Sequence, residues 1–176
     1  MSKILTFFVA ALFLAFPSPQ QSHAGDWDSW HFLLGEWTAE GEGRPGQSTG
    51  TFSFNFELQG KILVRRNRAD YPATKDRPAF SHEDLMVIYS QPGLSGFQAV
   101  YFDNEGHVIR YSASFSEDGN SLTFLSDPEP SAPRFRLTYT KGKHGALAVK
   151  FEIAPSDKPE SFSTYVEGVA RHAKAP

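Results

Sequence analysis

The residues that could carry chemistry here fall into short clusters. His82-Glu83-Asp84 sets three ionisable groups in a row. On an extended chain successive side chains point to opposite faces, so only His82 and Asp84 converge. They would make an acid–base pair, a fragment of a metal site, or a polar start to a strand. Zinc takes three or four ligands, and nothing else is spaced to join these two, so no metal site is expected. Arg65, Arg66 and Arg68 form the densest positive cluster. Arg66 and Arg68 share one face of a strand. Turned inward, their forked donors would clamp a carboxylate or phosphate, with Arg136 and Tyr139 assisting. Turned outward, they would pair with surface acids. His107 follows Gly106 beside a turn, and the carboxylates Glu117-Asp118 lie in another. Ser95, Ser112, Ser114 and Thr123 stand in no nucleophile elbow, and no His/Asp pair is placed to complete a triad. No phosphate loop or dinucleotide fingerprint is present. No catalytic residue is therefore assigned.

Composition narrows the field further. The chain has 176 residues, no cysteine and a formal net charge of −3. Disulfides, thiolate catalysis and Cys-ligated zinc or iron are excluded. The charge supplies no footprint for nucleic acid or acidic membranes. Apolar residues reach 40% and charged residues 21%, which predicts a folded core. Sixteen phenylalanines favour strands, whose pleated surface packs flat rings well.

The N-terminus reads as a secretory signal. Lys3 precedes an apolar run from Ile4 to Phe16, too short for the roughly 20 residues that cross a bilayer. Pro17 to Gln21 break the run, and Ser22-His23-Ala24 puts small residues before a cut. Cleavage after residue 24 would export the remainder, 25–176, as one domain in the periplasm or outside the cell. No second long apolar run follows, so no membrane-spanning segment is expected in the mature chain.

The elements that must position the clusters are mostly strands. Residues 26–34 have Asp26 as a candidate N-cap and place Trp27, Trp30 and Leu34 on one helical face, closed by Gly35. From there the hydrophobic period is 2. Phe52, Phe54, Phe56 and Leu58 alternate with Thr51, Ser53, Asn55 and Glu57. Further strands are predicted at 62–68, 85–89, 97–102, 107–115, 122–126, 134–140, 147–153 and 162–171. Pro72 and Pro78 mark a loop over 70–80. Asp103-Asn104-Glu105-Gly106 and Glu117-Asp118-Gly119-Asn120 read as hairpin turns. The fold class is all-β: a single antiparallel up-and-down barrel of about eight to ten strands behind a short helix, with a β-sandwich as the alternative.

Leu34-Gly35-Glu36-Trp37 opens the first strand after that helical lead-in. Gly-x-Trp at this place resembles the lipocalin and wider calycin barrels. The resemblance implies that Trp37 plugs the barrel end and that Arg171, on the last strand, stacks over it. The longer run from Gly35 to Gly43 is similar to the nitrobindin-like haem barrels, with Ala39 where their second glycine usually lies. Leu58–Val64, Tyr101–His107 and Arg134–Tyr139 look like uncharacterised secreted bacterial proteins of the lipocalin-like type. The nitrobindin resemblance implies haem b on a histidine near the chain end, for which His172 and His144 are the candidates. Fatty-acid-binding barrels resemble the arginine reading, since they hold a carboxylate on buried Arg and Tyr.

The expected function is binding of a small apolar or amphipathic ligand, such as a lipid, fatty acid or aromatic metabolite. Arg66, Arg68, Tyr89, Tyr101, Phe124, Arg136 and Tyr139 are the ligand-binding candidates. Phe54, Phe56, Val87, Phe97 and Phe151 complete the expected lining. An enzyme on the same barrel, and a barrel filled by its own phenylalanines that acts through its surface, are the alternatives.

Overall fold

The computed structural model describes residues 27–40, 49–91, 93–94 and 96–173. The proposed signal, Gly25, Asp26, Gly41–Gly43 and Ser95 lie outside the described residues. Ten strands close into one antiparallel barrel: β1 (Gly35–Glu40), β2 (Thr49–Glu57), β3 (Ile62–Tyr71), β4 (Phe80–Ser90), β5 (Phe97–Asp103), β6 (Val108–Phe115), β7 (Ser121–Ser126), β8 (Arg134–Lys141), β9 (Leu147–Ala154) and β10 (Ser163–His172). Each strand pairs with its neighbours in sequence, and β10 returns to β1. The architecture is thus the up-and-down barrel, with no sheet edge left open, and not the sandwich.

The phenylalanine alternation sets the inner face. Phe52 and Phe54 are buried, and the β2–β3 hairpin opposes Phe56 to Leu63, Phe54 to Arg65 and Phe52 to Asn67. Directly opposed residues share a face, so Leu63, Arg65 and Asn67 point inward. The same rule carries round the barrel and puts Met86 and Ile88 inside on β4, Tyr111 on β6 and Tyr139 on β8.

A 3₁₀ helix, Asp28–Leu33, caps one end. Its three-residue turn places Trp27, Trp30 and Leu33 in line, so Leu33 goes into the core where a 3.6-residue period would send Leu34. Trp30 is fully buried, with ring centroids 4.8 Å from Phe97 and 5.3 Å from Phe115 in edge-on contacts. The Trp37 indole N–H donates to the Leu33 carbonyl at 2.8 Å and ties the plug to β1. Gly35 joins the two at φ +99°, a conformation that side chains disfavour.

At this same end the stacking partner of Trp37 is His172, with centroids 3.8 Å apart and planes 29° from parallel. The β1–β10 register opposes Trp37 to His172 and Thr38 to Arg171. Arg171 therefore points to the other face. One residue of register separates the expected cation–π contact from the imidazole stack that is present.

Candidate functional site

The plug fills one half of the barrel and leaves the other hollow. A cavity of about 770 Å³ opens at the end opposite the 3₁₀ helix. Its two walls differ. Phe135, Leu137, Val149, Phe151 and Ile153 on β8 and β9 make an apolar wall. The Phe135 and Phe151 rings lie parallel at 5.9 Å. Facing them, β3, β4, β5 and β6 present Arg65, Asn67, His82, Asp84, Tyr101 and Tyr111.

Asp84 organises the polar wall. Its side chain is 4% exposed and accepts an ion-paired hydrogen bond from Arg65, whose side chain is 8% exposed. The Asn67 amide donates to its other oxygen at 2.9 Å. Burial alone would lower the Arg65 pKa, but the Asp84 charge leads the effects that outweigh it, so Arg65 stays charged. His82 bonds Tyr101 Oη through Nε2 at 3.1 Å and Glu105 Oε1 through Nδ1 at 3.0 Å, with Asp84 Oδ2 3.4 Å from Nε2. Its bond to Asp84 is the largest influence and, with Glu105, raises its pKa to about 9 against a partial loss to burial. His82 is therefore a cation at neutral pH.

Tyr101 donates weakly to Asp103 Oδ2 at 3.3 Å. Burial pushes the hydroxyls of Tyr101 and Tyr111 far above the ordinary phenol range, and the Asp84 charge adds to it, so both remain protonated. Asp103 caps the β5–β6 turn, accepting from the backbone N–H groups of Glu105 at 3.0 Å and His107 at 2.9 Å and from His107 Nδ1 at 2.8 Å. Burial would raise its pKa, yet these bonds hold it below the usual carboxylate value. Gly106 takes φ +93° in that turn.

Aromatic rings frame the mouth. Tyr71 and Phe80 stack at 4.5 Å with planes 4° apart, and the Arg77 guanidinium lies 4.2 Å from the Phe80 centroid. Across the opening Tyr165 stands at the register shift in β10, edge-on to Phe151.

Of the expected ligand-binding residues, Tyr101 lines the cavity. Phe124 and Tyr139 are inward but lie in the packed half beneath it, where burial raises the Tyr139 hydroxyl to about 12. Arg66, Arg68, Tyr89 and Arg136 lie on the outer face, because each flanks an inward residue: Arg65, Asn67, Ile88 and Leu137. Arg68 pairs there with Asp70 and Glu83, and Arg136 donates to Glu152 at 2.7 Å. Among the expected lining residues Phe151 faces the cavity, Phe54, Phe56 and Phe97 pack under it, and Val87 points outward.

The strand carrying His82 begins at Phe80, five residues before the expected start, so His82 and Asp84 sit side by side on its inner face. Arg65, Asn67 and Tyr111 are site residues that the sequence reading passed over. For Arg65 and Asn67 the signal lies in the β2–β3 hairpin, whose register follows from its turn once Phe52, Phe54 and Phe56 face the core.

The two histidines considered for haem do not line the cavity. His144 lies in an exposed turn between β8 and β9, and His172 stacks on Trp37, both at the plugged end. Within the cavity His82 commits both ring nitrogens to protein partners, and His107 is a rim residue held by Asp103. Neither His144 nor His172 is therefore placed to hold a haem in this cavity. Among the described residues no three His, Asp or Glu groups converge on a metal position, and no helix is long and apolar enough to cross a membrane. No protein-family model matches this sequence, and no curated protein matches it either.

Proposed function

We propose that this chain is an exported, lipocalin-like binding protein that holds an apolar or amphipathic small molecule in its barrel cavity. The observation that supports this reading is the two-sided cavity. Its volume of about 770 Å³ falls within the roughly 300–1,000 Å³ of small-molecule sites. An apolar body rests on the Phe135–Phe151 wall, and a polar end meets the network around Asp84. Export rests on Lys3, the apolar run to Phe16 and the Ser22-His23-Ala24 cut.

Uptake of N-phenyl-1-naphthylamine, a neutral fluorophore that brightens in apolar surroundings, tests the cavity. The wild-type protein should bind it in the micromolar range with one site per chain. Val149→Trp, which fills the cavity from the apolar wall, should abolish uptake while leaving thermal unfolding within a few degrees of wild type. Equal uptake by both proteins would place the probe elsewhere and end the cavity reading. N-terminal sequencing of protein recovered from the periplasm should begin at Gly25.

A further inference from the structure

The polar wall is rich in charge yet has no cation to spare. We infer that the cavity selects a ligand with an uncharged hydrogen-bonding head group, an alcohol, phenol or ketone, over one with a carboxylate or phosphate. This rests on the binding reading above and adds the class of ligand to it.

On this wall and at its edge, two cations, Arg65 and His82, face three carboxylates, Asp84, Asp103 and Glu105. Arg65 is bound to Asp84, and both are almost wholly buried. A guanidinium already neutralised by a buried carboxylate has no charge left to compensate a second anion. His82 is held between Asp84 and Glu105. Asp103 is the third carboxylate, its oxygens taken by the turn and by His107. Even a protonated His107 would bring this wall only to neutrality. At the rim, outside this wall, the exposed Arg77 guanidinium lies against the Tyr71 and Phe80 rings.

An entering carboxylate would shed its water and meet Asp84 and Asp103 without a free cation, which is unfavourable on both counts. A hydroxyl or ketone has no charge to desolvate. The protonated Tyr111 hydroxyl can donate to it, and the Tyr101 oxygen, whose proton goes to Asp103, can accept from it. The inward arginine–tyrosine clamp that the sequence left open is thus not formed, because the inward arginine, Arg65, comes with its own counter-ion.

The test is displacement of N-phenyl-1-naphthylamine by matched pairs at neutral pH: dodecan-1-ol against dodecanoate, and 2-naphthol against 2-naphthoate. The neutral member of each pair should displace the probe at about tenfold lower concentration or better, the ratio expected from roughly 1.4 kcal/mol of discrimination. Acids that match or beat their neutral partners overturn the inference while leaving the binding reading intact. A protein that takes up no probe, by fluorescence and by native mass spectrometry, overturns both. Asp84→Asn should release the positive charge of Arg65 and His82 and move the acid-to-alcohol ratio toward the acid by about tenfold. Glu105→Gln removes an exposed rim carboxylate without disturbing the core, and should move the ratio the same way if Asp84→Asn fails to fold. An unchanged ratio in Glu105→Gln, with Asp84→Asn either unfolded or equally unchanged, counts against the inference.

Discussion

At the scale of single residues, Asp84 and His82 show how neighbours set protonation. The His82 imidazolium faces Asp84, Glu105 and the Tyr101 hydroxyl, and its pKa rises from 6.5 to about 9. The folded state thus binds this proton more tightly than the unfolded chain. The stability it contributes is complete below pH 6.5 and disappears as the pH climbs through 9. Urea midpoints taken from pH 6 to 10 should fall over that window for wild type, relative to His82→Gln at the same pH. A histidine resonance titrating near 6.5 in the folded protein would refute this assignment. The sequence did reveal that His82 and Asp84 converge. It did not reveal what they converge on, because that depends on Arg65 and Tyr101 from the two flanking strands. Arg66 and Arg68 do share a face, as their spacing says. Period-2 alternation states which residues go together and leaves open which set goes inside.

At the scale of elements, legibility tracked hydrophobic contrast. Strands with phenylalanine on one face and serine or threonine on the other, such as β2, were placed within a residue or two of their bounds. β4 begins five residues before its expected start because its first half carries polar residues on both faces: its inner face lines the cavity mouth there, so His82 and Asp84 stand where an apolar residue would otherwise signal a strand. The N-terminal helix was expected, but its 3₁₀ pitch was not, and the pitch decides that Leu33 is the buried residue. Arg171 missed Trp37 because the offset of β10 against β1 depends on closure of the whole ring of strands. The plug itself depends on Trp30, which touches Trp27, Phe97, Phe115 and Phe124. Trp30→Ala should cost about 3–5 kcal/mol, the usual range for deleting a large buried ring. Chemical denaturation followed through the remaining tryptophans measures it, and a loss under 1 kcal/mol would mean that the helix does not cap the barrel.

At the scale of the molecule, a single closed barrel is asked both to pack and to stay hollow. Its aromatic residues are divided accordingly. Phe54 and Phe124 fill the plugged half with Trp30 and Tyr139, while Phe52, Phe135 and Phe151 line the cavity. The arrangement is held by a short seam, since β1 and β10 meet over Trp37 to Glu40 opposite Val169 to His172. That seam joins the two ends of the described chain, so it forms only after every hairpin between them has found its register. Such non-local closure puts folding in the slow range of roughly milliseconds to seconds. Removing residues 163–176 deletes β10 and leaves β1 and β9 as unpaired edges, with the Trp37 stack and part of the cavity wall gone. Open edges of this length template pairing between chains. The shortened protein should therefore elute as large aggregates in size-exclusion chromatography and lose its cooperative thermal transition. A monomer with a sharp transition would show that nine strands can close without the seam, and that the cavity owes its shape to the hairpins and not to the ring.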